Sequence, residues 1–276
     1  MRILFIRHGD PDYLNDTLTE KGCREADLLA KRAVTLQMGE CYMSPLGRAQ
    51  RTAKPCLEAV NCEAETLSWL QEFPAQLDTN KAPELAEAYP DVKKNEKGYL
   101  PRIVWDMMPE HLTEHNEYMD RTAWRDSVVA QCSDMVEVYD NIIQEFDNLL
   151  AEHGYVRENG HYRVEKENTK TITFFCHFGL IGVLLSHLWN VSPFTLWNSL
   201  ALAPTSVTEL VTEERKKGIA YFRGLKVGDV SHLYAGGEEP SFAARFCEIY
   251  SNKAQRHQLL ICGFGVDDTA EEGLLN

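Results

Sequence analysis

A chain of 276 residues can bury a full α/β core and is too long to be a small disulfide-stapled module. Its 28 lysines and arginines against 42 aspartates and glutamates leave a net charge of −14, which disfavours a nucleic-acid or anionic-membrane partner held by bulk electrostatics, so any anion site must be local. The eight cysteines form no CxxC pair and several sit in apolar runs, so they read as reduced core residues. Met1-Arg2-Ile3-Leu4-Phe5-Ile6 is too short for a signal-peptide apolar region, and no stretch approaches the ~20 apolar residues of a membrane span. A cytoplasmic location is the resulting expectation.

In chain order, residues 2 to 6 read as a buried strand ending at Arg7-His8-Gly9, and Thr19 caps a helix with apolar positions at Cys23, Ala26, Leu29, Ala30 and Ala33. A second strand, Glu40 to Met43, runs into Ser44-Pro45-Leu46 and a helix to about Ala59. A third, near Thr66 to Trp69, ends at Glu72. From Phe73 to about Asp120 the periodicity fails and five prolines interrupt a mixture of aromatics and charges, which predicts an inserted cap over residues 73 to 120. A long helix is expected from Thr122, with Val128, Cys132, Met135, Tyr139, Ile142, Phe146 and Leu149 on its stripe and Gly154 as its stop. Tyr155 to Lys170 reads as a small hairpin or a loose loop. Thr171 to Cys176 is a strand ending at His177, a helix runs from Leu180 to Trp189, and strands at Ser206 to Thr212 and Ile219 to Leu225 complete the sheet. Strands alternating with helices predict a three-layer α/β/α domain spanning 1–276, with a mostly parallel central sheet.

Open parallel sheets bind ligands at the carboxyl ends of their strands, and three such ends deliver Arg7-His8, Glu72 and His177. Arg48 or Arg51, near the start of the second helix, can join free backbone N–H groups in holding an anion. Two histidines, arginines and a carboxylate suit phosphoryl transfer through an imidazole. Neutral His8 attacks phosphorus, Arg7, Arg48 and a protonated His177 neutralise the equatorial oxygens, and Glu72 moves the proton. The scheme requires no metal and no cofactor.

Five segments in order resemble the histidine phosphatase superfamily, in the branch that includes cofactor-dependent phosphoglycerate mutases and fructose-2,6-bisphosphatases. They are Arg7-His8-Gly9, Leu18-Thr19-Glu20-Lys21-Gly22, Ser44 to Ala53, Glu72, and Cys176-His177-Phe178-Gly179. Ser206-Val207-Thr208 and Val230-Ser231-His232-Leu233 look like the family's closing segments. The resemblance implies that His8 is the phosphorylated histidine, that Arg7, Arg48 and His177 complete the phosphate pocket, and that Glu72 is the proton donor; it also selects Arg48 over Arg51. Two departures stand out. Asp10-Pro11-Asp12-Tyr13 replaces a more usual Glu-rich loop start, and Phe178 stands where a glycine commonly follows the second catalytic histidine. Asp10, Tyr13 and Phe178 are therefore expected at the substrate rim, and Asn15 at the phosphate.

The expectation is hydrolysis of a small phosphorylated metabolite, with Tyr99, Trp105, Met107 and Met108 available to enclose its leaving group. Phosphoglycerate mutase-type transfer and a non-catalytic phosphate-ligand sensor are the alternatives. His111-Leu112-Thr113-Glu114-His115 also fits the HxxEH pattern of inverted zinc peptidases, which needs a stable helix and a third ligand; a polar surface helix is the simpler reading.

Overall fold

A computed structural model describes residues 1–89 and 94–242. At its centre the two most apolar runs, Arg2–Arg7 (β1) and Thr171–Cys176 (β6), pair in parallel, with Phe5 opposite Phe174 and Arg7 opposite Cys176. Side chains alternate along a strand, so Ile3, Phe5, Ile172 and Phe174 enter one buried cluster while Leu4, Ile6 and Phe175 enter another on the opposite face. Burial on both faces is why these strands are written as unbroken apolar runs.

The remaining sheet strands are β2 (Glu40–Met43), β3 (Ala64–Thr66), β4 (Tyr155–Glu158), β5 (His161–Val164), β7 (Val207–Lys216) and β8 (Ile219–Asp229). The sheet order is β4-β5-β8-β7-β1-β6-β2-β3. From β1 to β3 every pairing is parallel, whereas β7, β8, β5 and β4 follow on the other side as antiparallel neighbours, so only β5 and β7 oppose the common strand direction. The sheet is thus mixed and mostly parallel. Helices α1 (Glu20–Leu36) and α2 (Gly47–Val60) pack Leu29, Ala33, Ala53 and Cys56 on one face. Helices α3 (Met135–Glu152), α4 (Phe178–Trp189) and α5 (Pro193–Ser199) cover the other, which completes an α/β/α arrangement. The Thr19 hydroxyl accepts from Gly22 N at 3.0 Å and caps α1.

Two elements differ from the sequence expectation, and a third resolves to one of its alternatives. The long helix from Thr122 is broken: a 3-10 turn (Ala123–Asp126) and a short helix (Val128–Gln131) precede α3. The break lets residues 132–134 pair with 76–78, since Asp78 N donates to Cys132 O and Gln76 N donates to Asp134 Oδ1. β3 ends at Thr66, because Ser68–Leu70 coil into a 3-10 turn that buries Trp69 and Leu70. Tyr155 to Val164 is a hairpin whose turn, Asn159 (φ 48°) and Gly160 (φ 90°), has the two positive φ angles that suit a two-residue hairpin turn. Residues 73–120 form short ladders, such as Gln76–Leu77 with Arg102–Ile103, and a helix at Pro109–Glu114; Phe73, Leu77, Val104 and Trp105 join the cluster on the α3 face. Among the described residues no helix is long and apolar enough to cross a membrane.

Candidate active site

Parallel registry between β1 and β6 brings their ends together. His8 N donates to Cys176 O at 3.0 Å, and the His8 and His177 rings lie 5.1 Å apart, centroid to centroid, at 54°. Ser44 follows β2 and shares a 2.8 Å hydrogen bond with His177 Nε2. Glu72 arrives from the 3-10 turn after β3, and its Oε1 accepts from Phe73 N at 2.9 Å and from Leu180 N, in the first turn of α4, at 3.1 Å.

His8 is buried, and its Nδ1 lies 2.7 Å from Gly9 O. A carbonyl only accepts, so Nδ1 carries the proton and the lone pair is on Nε2, which has no hydrogen-bond partner among the described residues. Burial, then the charges of Arg7 and Arg48, push His8 well below the usual imidazole range. The loop beyond is packed backbone to backbone: a Cβ on Gly9 would lie 2.8 Å from Gly22 O, and one on Gly22 would lie 2.2 Å from Asp10 O. That close approach fixes both glycines. Gly9 N donates to Thr52 Oγ1 at 2.9 Å, and that hydroxyl donates to Arg48 O at 2.8 Å, which ties the loop to α2.

His177 is also held neutral, chiefly by burial and then by Arg48, His8 and Arg7. Glu72 is driven the other way: burial raises its pKa, against the lowering influence of Arg48, its two N–H donors and Arg7. Arg7 lies fully buried with its guanidinium donating to Leu202 O and standing 5.6 Å from the Phe178 ring centroid. Arg48 is buried and Arg51 exposed, so of the two candidates only Arg48 turns inward; its Cζ lies 5.3 Å from the Tyr13 ring centroid, and the Tyr13 ring lies 6.4 Å from that of His8.

The sequence profile of the histidine phosphatase superfamily (branch 1) matches residues 3–122, the stretch that carries Arg7-His8-Gly9, Arg48 and Glu72. That match spans 120 of the 276 residues and lies in the first half of the chain. No curated protein matches it in sequence. Among solved structures, a phosphoserine phosphatase mutant from Entamoeba histolytica in complex with phosphoserine is 16% identical, with 84% of this chain and 98% of that chain covered and a TM-score of 0.50. A mycobacterial glucosyl-3-phosphoglycerate phosphatase with inorganic phosphate is 18% identical, with the same shares covered and a TM-score of 0.52. A mycobacterial hydrolase is 19% identical, with 83% and 98% covered and a TM-score of 0.50. At these identities the likeness is one of fold.

Within this fold, not every residue expected at the site reaches it. Asp10 is buried behind the loop: Oδ2 accepts from Thr19 Oγ1 at 2.7 Å, Oδ1 accepts from Ser241 Oγ, and its N–H donates to Glu25 Oε2 at 2.9 Å. Its carboxylate is fully engaged as structure instead of facing a rim. Asn15 is exposed and its amide donates to Asp12 Oδ2 at 2.8 Å, a turn-stabilising contact that does not join it to His8. Phe178 is buried, with its ring edge-on to Trp105 at 5.7 Å.

Asp16, which sequence reasoning passed over, sits at the start of α2. Its Oδ2 accepts from Gly47 N and its Oδ1 pairs with Arg48 at 2.7 Å, so the helix N-terminus expected to be free for an anion already holds a carboxylate. No local pattern marks Asp16, since the contact spans helix α1 and strand β2. His111 and His115 stack at 4.1 Å on a helix that ends at Glu114, and no group of three or more potential metal ligands gathers there or elsewhere among the described residues.

Proposed function

We propose that this chain is a metal-independent phosphatase that hydrolyses a small phosphate monoester through a phosphohistidine on His8. The observation that carries the proposal is the His8 ring: a buried, neutral imidazole whose Nε2 lone pair is unengaged, beside His177 and two arginines. In the first step Nε2 bonds to phosphorus as the P–O bond to the leaving group breaks, and Glu72 gives that oxygen its proton. In the second, Glu72 takes a proton from water, whose oxygen bonds to phosphorus as the P–N bond breaks and inorganic phosphate leaves. A carboxyl whose pKa is raised by burial suits both roles. An arriving phosphoryl dianion reverses the field at His177 and draws a proton onto it, so its charge follows the substrate.

We read the chain, 1–276, as one domain with 73–120 inserted as a cap. Trp105 lies against α4 just after His177, at 3.1 Å from where a Gly179 Cβ would stand, and this supports an aromatic wall for an organic leaving group. Phosphoserine, bound by one structural neighbour, exemplifies the substrate size. The six described cysteines are free, which supports a reducing, cytoplasmic setting.

The test is release of phosphate from an aryl phosphate without added metal. His8→Ala abolishes it, and acid quench of the wild type traps an acid-labile phosphoryl group on His8. Equal activity in the variant would overturn the mechanism. Transfer between 3-phosphoglycerate and its bisphosphate without net hydrolysis would identify a mutase instead.

A further inference from the structure

The turn at residues 202–206 brackets Arg7 and His8 from the side opposite His177. Leu202 O accepts from the Arg7 guanidinium, Ser206 O accepts from Arg7 N at 3.1 Å, and Thr205 N donates to His8 O at 3.1 Å. Thr205 makes its bond from a left-handed conformation, φ 56°, which a β-branched residue adopts only at a cost of roughly 1–3 kcal/mol. Something must hold it there.

Its hydroxyl does so. Oγ1 lies 2.7 Å from Pro204 O, which can only accept, so the single hydroxyl proton goes to that carbonyl. Toward His232 Nε2, 3.1 Å away, Oγ1 is therefore the acceptor and Nε2 carries a proton. Nδ1 is then the lone pair of a neutral ring, and it faces Arg32 Nη1 at 3.4 Å, while Arg32 Nη2 is paired with Asp229 Oδ2 at 2.5 Å. The same chain of donors has a consistent direction from α1 through His232, in the five-residue helix Ser231–Ala235, to the turn behind His8. His232 is itself buried, and its two ring nitrogens face Arg32 and Thr205.

We infer that His232 is a positioning residue for His8. It holds the Thr205 hydroxyl so that the Thr205 N–H fixes the His8 carbonyl, and with it the direction in which Nε2 points. The inference rests on His8 being the nucleophile, and misplacement of a nucleophile by about 1 Å costs up to about a hundredfold in rate.

With the full chain and an aryl phosphate, His232→Ala lowers kcat about tenfold or more while KM stays within about twofold. His232→Gln, whose side-chain N–H can replace the one on Nε2, restores most of the loss. Thr205→Val removes the acceptor at constant shape and matches His232→Ala, and the double variant is no slower than the slower single one. A kcat for His232→Ala within about twofold of wild type, a glutamine variant as slow as the alanine variant, or losses that multiply in the double variant each overturn the inference. If the wild-type chain hydrolyses no phosphate monoester, the phosphatase reading falls separately. The positioning claim is then decided by hydrogen exchange: the Thr205 amide must exchange about tenfold faster in His232→Ala, and unchanged exchange refutes it.

Discussion

Gly179→Ala separates the proposed role of Glu72 as proton donor from ordinary packing. A Cβ at position 179 would lie 2.7 Å from Glu72 Oε1, 3.1 Å from Trp105 Nε1 and 3.4 Å from Phe73 Cβ. The carboxylate is the neighbour that must give way, by roughly half an ångström or more to reach ordinary contact. It cannot do so freely, because Oε1 is pinned by Phe73 N at 2.9 Å and Leu180 N at 3.1 Å. Overpacking of this kind costs about 1–3 kcal/mol, and replacing a helical glycine by alanine returns up to about 1 kcal/mol, so the net loss of stability is about 0–3 kcal/mol. Activity falls further, since a displaced general acid forfeits part of a contribution of about 10²- to 10⁴-fold. The assay compares kcat on an alkyl phosphate, whose leaving alkoxide needs the proton, with kcat on a nitrophenyl phosphate, whose phenolate needs it far less. The variant's deficit is expected to be at least about tenfold larger on the alkyl substrate, with urea denaturation showing a folded protein. An equal deficit on both substrates would refute the assignment of Glu72 as proton donor.

Glu25 supplies a pH dependence of stability. It is fully buried, accepts from Asp10 N and Ser241 N, and is pushed up to about 7, mainly by burial. A raised carboxyl contributes stability that is present below its unfolded value and lost as pH rises through the folded one, so unfolding free energy falls by about 3 kcal/mol between roughly pH 4 and 7; Glu25→Gln removes that slope in denaturation measured across the range. Thr52→Val leaves the Gly9 N–H without its acceptor in a dry site, and is expected to cost about 1–3 kcal/mol by urea denaturation, with no loss of stability counting against the tie between the loop and α2.

The strands β1, β2 and β6 were legible to within a residue because burial on both faces writes them as continuous apolar runs. Likewise, His8, His177 and Arg48 were legible as a set, since strand ends and a helix start put them at one edge of a parallel sheet. The break before α3 was not, because the three-to-four spacing of apolar residues runs through it, and what stops the helix is pairing of Cys132 and Asp134 with a segment more than fifty residues earlier. Asp10 misled for the same reason. A carboxylate two residues from His8 reads as a rim residue until Ser241, 231 positions away, is seen to donate to it. Long-range partners decide which polar groups are already spent, and a local pattern contains no trace of them.

On the proposed phosphatase reading, the seat taken by Asp16 gives anion capture a particular character. With Arg48 and the first N–H of α2 already engaged by a carboxylate of the chain, an incoming phosphoryl group that draws on them trades places with a resident anion, and does not enter an empty well. Its affinity is then a difference between two anions for one cation, which keeps binding modest. The same carboxylate stands ready to reclaim Arg48 when phosphate departs, so a site strong enough to orient a dianion need not hold its product.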